Sequence, residues 1–440
     1  MMQTWFTDAK LGIFIHWGIY AVQKRGGESW PLIRGEVSME DYHSQLEHFT
    51  AEDYDPSAWA RLIKRAGAQY AVLTTKHHDG VALWPTHEQG PSIPNQGNTG
   101  DLVGPFLEAL RQEGLHTGLY FSHTDWAQSE HFQCITGLTE TELQQLRSTK
   151  HNYINEWHKL DEHFAPDQEY YAKWNRFLEF RRNQLHELLT QYGTLDLLWF
   201  DVMIGLDHHD YESKALRDFI HELSPNTIIN SRLEEYGDYE TPEQFIPVYP
   251  PEGPWEFCVT TNNSWSYTGR EQDYKTPYEI ISMFCECLGM GGNMLLNIGP
   301  DERGTVPEKQ VHLLESLGDW IQKHQEAVYG TVRGLPHGYA YGPSSLNKER
   351  DILYLYLSHL PGESTFIKGI HNEVNAISIL GTGTTCAYKR IGGAPWMNVP
   401  GSLTIHIPEE AADTWVTVVK IELDGPLKLY SGEGVEIDLN

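Results

Sequence analysis

A carboxylate stands directly after an unbroken apolar run in Leu197-Leu198-Trp199-Phe200-Asp201, and chemistry is expected there first. A charged group at the rim of an apolar core is costly unless it is hydrogen-bonded or put to use. Four other apolar runs end in the same manner. They lead into His16-Trp17-Gly18, Lys76-His77-His78-Asp79-Gly80, Ser122-His123-Thr124-Asp125-Trp126 and Ser231-Arg232. Any one of these can be a strand end meeting water, and Asp201 alone can cap a following helix. Five together place imidazoles, a carboxylate and a guanidinium on one face.

Two chemistries fit that set. The pair His77-His78 can begin a metal site, with His16, His123 or Asp79 adding ligands, as in a metal-dependent barrel hydrolase. Against it, neighbouring residues on a strand point to opposite faces, so two ligands from one His-His pair are awkward. The same imidazoles, kept neutral, can donate to and accept from the hydroxyls of a sugar. Glycoside hydrolysis then needs a second carboxylate to protonate the leaving oxygen. The acidic, loop-like stretch Asp238-Tyr239-Glu240-Thr241-Pro242-Glu243-Gln244 and the later Trp255-Glu256 supply candidates, Glu243 and Glu256. The residues alone leave both carboxylates and both chemistries open.

The elements that must position these groups read as an alternation of strand and helix. Strand candidates cover 12–16, 70–75, 117–122, 195–201, 227–231, 257–261 and 293–298, mostly near-continuous apolar runs of the kind buried on both faces of a parallel sheet. Helix candidates cover 56–66 after a capping Asp55, 101–113, 174–191, 211–223, and 277–288 with Pro in its first turn. This order predicts an α/β fold, a (β/α) TIM-like barrel or an open doubly wound sheet, with seven clear strands and closure inferred. In barrels the active site lies at the carboxyl ends of the strands, where the polar residues above fall. A polar, helix-patterned insertion is expected at 130–168. Beyond about residue 331 the runs at 352–358, 373–380, 403–407 and 414–423 are β-branched and partly alternating, which predicts an antiparallel β-sandwich. The expected units are a catalytic barrel over 1–335 and a sandwich over 340–440.

Composition narrows the partners. The chain has 440 residues, and a net charge of −29 excludes nucleic acid and anionic membrane, which need clustered Lys and Arg. Its 14 Trp and 23 Tyr suit a neutral sugar whose C–H faces stack on aromatic planes. Five Cys without zinc spacing read as reduced thiols. With no basic-then-apolar leader in MMQTWFTDAK and no run long enough to span a bilayer, a cytoplasmic location is expected. The sandwich and the insertion offer contact surfaces for a homo-oligomer.

Taken in order, Lys10-Leu11-Gly12-Ile13-Phe14-Ile15-His16-Trp17-Gly18, Thr74-Thr75-Lys76-His77-His78-Asp79-Gly80, Leu198-Trp199-Phe200-Asp201 and Gly292-Asn293-Met294-Leu295-Leu296-Asn297-Ile298-Gly299-Pro300 closely resemble the α-L-fucosidases of glycoside hydrolase family 29. The resemblance covers roughly residues 5 to 330, and the trailing segment resembles the sandwich that follows the barrel in that family. It implies a retaining exo-glycosidase acting on fucosylated oligosaccharides or glycosides without metal or organic cofactor. Asp201 matches the nucleophile. His16, His77 and His78 match ligands of the fucose hydroxyls, Tyr120, Trp199 and Arg232 match pocket positions, and Trp30 matches an aromatic from the loop after the first strand. Glu243, eleven residues after Arg232, is the better match to the acid/base and Glu256 the second. Two positions depart from the pattern: Val202 follows the nucleophile where the family usually has Gly, and Ser264 begins Ser264-Trp265-Ser266-Tyr267 where Gly is common.

Overall fold

The computed structural model describes residues 2–96, 99–157, 166–203, 210–270, 273–359, 362 and 364–431. Seven strands form one parallel sheet: β1 (Leu11–Ile15), β2 (Tyr70–Lys76), β3 (His116–Ser122), β4 (Leu197–Asp201), β5 (Ile228–Ile229), β6 (Glu256–Thr260) and β7 (Asn293–Ile298). Their order is β5-β4-β3-β2-β1-β7-β6. Every residue of β1, β2 and β7 is buried, which is why these strands read as continuous apolar runs rather than alternating ones. All seven strands fall where the sequence places them, with the fifth shortened to two residues.

The helices follow local signals. Pro56–Arg65 starts after Asp55, whose carboxylate accepts the Ala58 N–H, and turns Trp59, Ala60 and Ile63 to the core. Pro277–Gly289 is held by a reciprocal box, with Thr276 accepting from the Glu279 N–H and Glu279 reaching back. Gln168–Gln191 begins earlier than its periodicity suggests because Asp167 caps it, accepting from Tyr170. Within the expected insertion, Ser129–Thr136 and Glu140–Leu146 are helical, while 158–165 lie outside the described residues.

Among the described residues no regular strand stands between β5 and β6. The stretch 238–244, expected as a loop, is instead bonded to the chain on both sides. Asp238 N–H donates to Ile229 O and Ser231 N–H to Tyr239 O; on the other side Glu256 N–H donates to Glu240 O, Cys258 N–H to Pro242 O and Gln244 N–H to Cys258 O. Pro242, which has no N–H to give, keeps this ladder irregular and hid it from a strand reading.

The sheet has two apolar faces. One packs on the helices, with Leu11, Ile13 and Ile15 among its residues. The other is a separate cluster drawing Phe14, Val72, Tyr120, Trp199, Ile228, Cys258 and Leu295 from the seven strands, together with Tyr239 and Phe6.

Two antiparallel sheets follow. The five-stranded one contains β8 (Val332–Arg333), β9 (Ser344–Leu346), β10 (Ile352–Leu357), β12 (Val374–Ile379) and β15 (Thr417–Leu423); the three-stranded one contains β11 (Ser364–Lys368), β13 (Tyr388–Ile391) and β14 (Ser402–His406). Leu353, Leu355, Val419 and Ile421 of the first share one core with Ile367, Leu403 and Ile405 of the second. Alternation revealed β10, β12, β14 and β15. It missed β13, all four of whose residues are exposed, and also β8, β9 and β11. β8 already pairs with β9, so the antiparallel sheet begins at Val332, ahead of the expected boundary; 432–440 lie outside the described residues.

Candidate active site

Side chains two apart on a strand share a face. That rule turns Phe14 with His16, Tyr120 with Ser122, and Trp199 with Asp201 toward the inner cluster. At the carboxyl ends of the strands they meet a cavity of about 210 Å³ lined by Phe14, His16, Glu28, Trp30, His77, His78, Trp199, Asp201, Val202, Arg232, Glu243 and Trp265. Eight of the ten expected site residues are in that lining. Tyr120 and Glu256 are not.

Asp201 ends β4 with both oxygens engaged. Oδ1 accepts from Arg232 Nη1 at 2.8 Å and from the Val202 N–H at 2.9 Å; Oδ2 accepts from the Tyr120 hydroxyl at 2.9 Å. Tyr120 therefore acts from behind the lining, on the carboxylate itself. Burial raises the Asp201 pKa above the usual carboxylate value, while Arg232, Tyr120 and the Val202 N–H favour the ionised form.

The three imidazoles are neutral. Burial lowers the pKa of His16 and of His78 to about 3 and drives that of His77 well down. Their tautomers follow from their partners. Asn297 gives its Nδ2–H to Trp265 O, so its Oδ1 must accept from His16 Nδ1–H at 2.6 Å. Ser122 gives its proton to Thr124 O, so it accepts from His78 Nδ1–H at 2.7 Å. In both rings Nε2 is left as an acceptor, and that of His78 lies 3.7 Å from Asp201 Oδ2. His77 Nδ1 meets Ser29 Oγ at 2.5 Å.

His77 and His78 do not diverge as strand alternation predicts. β2 stops at Lys76 after a register shift, so both residues lie beyond the pleat, and their ring centroids are 4.1 Å apart in the same lining. The ligand atoms of His77, His78 and Asp201 all lie within 4.8 Å of one another. Of the other candidate ligands, His16 lines the same cavity, and two point elsewhere. Asp79 accepts from Tyr42 and from the Val81 N–H, and His123 stacks on Phe200 and bonds Arg232 O through Nε2 at 3.1 Å.

The two candidate acids part company. Glu243 lines the cavity, partly exposed, and accepts from Arg232 Nη2 at 2.7 Å. One guanidinium thus holds Asp201 and Glu243 together. Glu256 opens β6 at its amino end, the wrong end for the cavity. It is fully buried on the inner face, accepting from Trp199 Nε1 at 3.0 Å and from the Tyr70 hydroxyl, with burial raising its pKa to about 7.

Glu28, Phe14 and Trp265 are lining residues that sequence reasoning did not single out. Phe14 was legible, two residues before His16 on one strand. Glu28 was not: it sits in a loop and is turned inward by the Ser266 N–H at 2.8 Å and the Ser264 hydroxyl at 3.4 Å, while burial raises its pKa to about 6. The Ser that departs from the family pattern at 264 is thereby used. Val202 adopts φ +30°, a backbone region that favours Gly and is strained for a β-branched side chain.

Two carboxylates joined by one arginine, at the carboxyl-end mouth of a parallel sheet and among neutral imidazoles and indoles, define a site of the glycosidase class. The chain belongs to the α-L-fucosidase family, whose model, described as Alpha-L-fucosidase, matches residues 1–326. The tissue α-L-fucosidase of Homo sapiens is 30% identical over 363 residues, 75% of this chain and 70% of that one. The structure of α-L-fucosidase isoenzyme 1 from Paenibacillus thiaminolyticus superposes with a TM-score of 0.80 at 30% identity, covering 96% of this chain and 98% of that one. That of Thermotoga maritima α-fucosidase in complex with a mechanism-based inhibitor gives 0.73 at 25% identity, covering 95% and 96%.

Proposed function

We propose that this protein removes terminal α-L-fucosyl residues from fucosylated glycans or glycosides with retention of configuration, using Asp201 as nucleophile and Glu243 as acid/base. The observation that carries the reading is the single Arg232 fork holding both carboxylates at one cavity. In the first step Glu243 gives a proton to the glycosidic oxygen while an Asp201 oxygen bonds to C1, and the C1–O bond to the aglycone breaks. In the second, Glu243 takes a proton from water as the water oxygen bonds to C1 and the C1–Asp201 bond breaks, releasing fucose. His16 and His78 present Nε2 acceptors to sugar hydroxyls, and Phe14, Trp199 and Trp265 offer apolar walls to the C5 methyl. The mechanism-based inhibitor bound by the Thermotoga maritima relative supports the same two-step chemistry.

The backbone bonds of 238–244 to both β5 and β6, and an inner cluster fed by every strand, support closure of the sheet into a barrel. The core shared by the two antiparallel sheets supports a sandwich unit over the C-terminal hundred or so residues.

The test is trapping with a 2-fluoro-fucosyl donor followed by peptide mass analysis. One added fluorofucosyl group on the peptide carrying Asp201, absent in Asp201→Ala, is the expected result. No turnover of any aryl α-L-fucoside, or label on another residue, overturns the reading.

The proximity of His77, His78 and Asp201 favours a second reading, a bound divalent cation. The Arg232 cation argues against it, because it already neutralises Asp201 at 2.8 Å and repels a further positive charge from that place. Stoichiometric metal in the purified protein, with activity lost to a chelator, would restore the metal reading.

A further inference from the structure

We infer that Glu256 is a positioning residue: from beneath the cavity floor its carboxyl group holds the Trp199 indole in the orientation that supports Arg232 and Tyr120 around Asp201. The inference rests on the fucosidase reading above and assigns a role to a carboxyl group which that mechanism leaves unused.

Glu256 begins β6 on the same face as Cys258, and it is fully buried. Trp199 Nε1–H donates to its Oε1 at 3.0 Å and the Tyr70 hydroxyl to its Oε2. An indole is an apolar plate with one polar corner, so whatever accepts from Nε1 sets how the plate is turned about its side-chain torsions. A carboxyl group deep in an apolar interior is expensive, and an apolar side chain of similar volume would fill the same place at less cost. Its bonds are therefore the feature to explain.

The plate it holds carries the nucleophile's supports. The Arg232 guanidinium carbon lies 5.2 Å from the Trp199 ring centre, and Tyr120 stacks on the indole with centroids 5.7 Å apart and planes 18° from parallel. Arg232 bonds Asp201 Oδ1 and Tyr120 bonds Oδ2. A tilt of the indole displaces both groups that aim the carboxylate. Glu256 itself does not line the cavity, so its influence passes through Trp199 and not through contact with substrate.

Glu256→Gln keeps an oxygen to accept the indole N–H and a shape that fits; Glu256→Leu keeps neither bond. The expected result is that the Leu variant loses about ten- to a hundredfold in kcat, the size of effect a small misplacement gives, with KM changed less. The Gln variant should keep most of the rate that Leu loses. In a Trp199→Phe background, where the N–H is already gone, Glu256→Leu should cost little more. Should the Leu variant not fold, selective ¹⁵N-tryptophan labelling of the wild type and the Gln variant still decides. One of 14 indole N–H signals, identified by its loss in Trp199→Phe, should move in Glu256→Gln. An unmoved signal overturns the inference. So does azide rescue of a Glu256 variant, which would make Glu256 the acid/base. A wild-type protein that cleaves no α-L-fucoside, yet shows the moved signal, would sink the fucosidase reading and leave the link from Glu256 to Trp199 standing.

Discussion

Arg232 donates to Asp201 across 2.8 Å through one nitrogen of its fork, leaving the other, Nη2, free to hold a second carboxylate. A planar, permanently charged group with two parallel donors is the side chain suited to that task, and lysine is not. Arg232 also sets the balance on the nucleophile, whose burial would otherwise favour its protonated, inactive form.

Arg232→Met should therefore raise the Asp201 pKa further, because the buried charge loses its partner. The catalytic form is the ionised one, so the acid limb of the kcat/KM profile should move to higher pH. At the optimum kcat/KM should fall by about a hundredfold or more. A pH–rate profile against an aryl fucoside checks both; an acid limb that stays in place contradicts the assignment.

Glu243→Ala should lose its rate according to the leaving group. For alkyl or sugar aglycones, which need a proton, the loss should be on the order of a hundred- to ten-thousandfold, and much less for an activated phenol. Azide should then intercept the fucosyl-enzyme to give a fucosyl azide of retained configuration, whereas Asp201→Gly with azide should give the inverted one. Product NMR distinguishes them.

Val202 at φ +30° makes a reciprocal prediction. Val202→Gly relieves a strained backbone of a kind that costs about 1–3 kcal/mol, partly offset by the greater entropy glycine loses on folding. Equilibrium denaturation should show the variant at least as stable as the wild type, by a margin of about 1 kcal/mol. Clear destabilisation would mean that the valine side chain earns its place by packing.

Burial raises the Glu256 pKa to about 7 from an ordinary 4.5. Between those values the unfolded chain ionises the carboxyl group while the native protein keeps it protonated, so this group's contribution to stability declines as pH rises through the window. Glu256→Gln lacks that loss. Its stability relative to wild type should increase by about 1 kcal/mol per pH unit from pH 4.5 to 7 and level off above. Parallel denaturation series at four pH values measure it, and a flat difference contradicts the raised pKa.

Local chemistry made much of the framework legible. Apolar runs bounded by polar ends gave the seven parallel strands, and Asp55 and Pro277 marked helix starts, because these signals act over a few neighbouring residues. Asp201 and His16 were legible for the same reason, each being the first polar group after a buried run, and Arg232 lies just beyond another, after Asn230 and Ser231. The trailing antiparallel region was half legible. Short or exposed strands such as β13 lack the alternation that burial on one face imposes.

Sequence by itself thus determined which residue types stand at the strand ends, and the resemblance they carry. Tertiary structure decided what each one faces. Glu243 and Glu256 are both acidic residues near aromatic and proline neighbours, and nothing within a few positions separates them. Only the course of 238–244 beside β6 sends one to the cavity mouth and the other to the floor beneath Trp199. Glu28 and the neutral tautomers of His16 and His78 likewise depend on Ser266, Asn297 and Ser122, partners distant in the chain. Burial and long-range hydrogen bonds set pKa, tautomer and direction, and these arise when separate strands are brought to one centre, not from the spacing of residues along the chain.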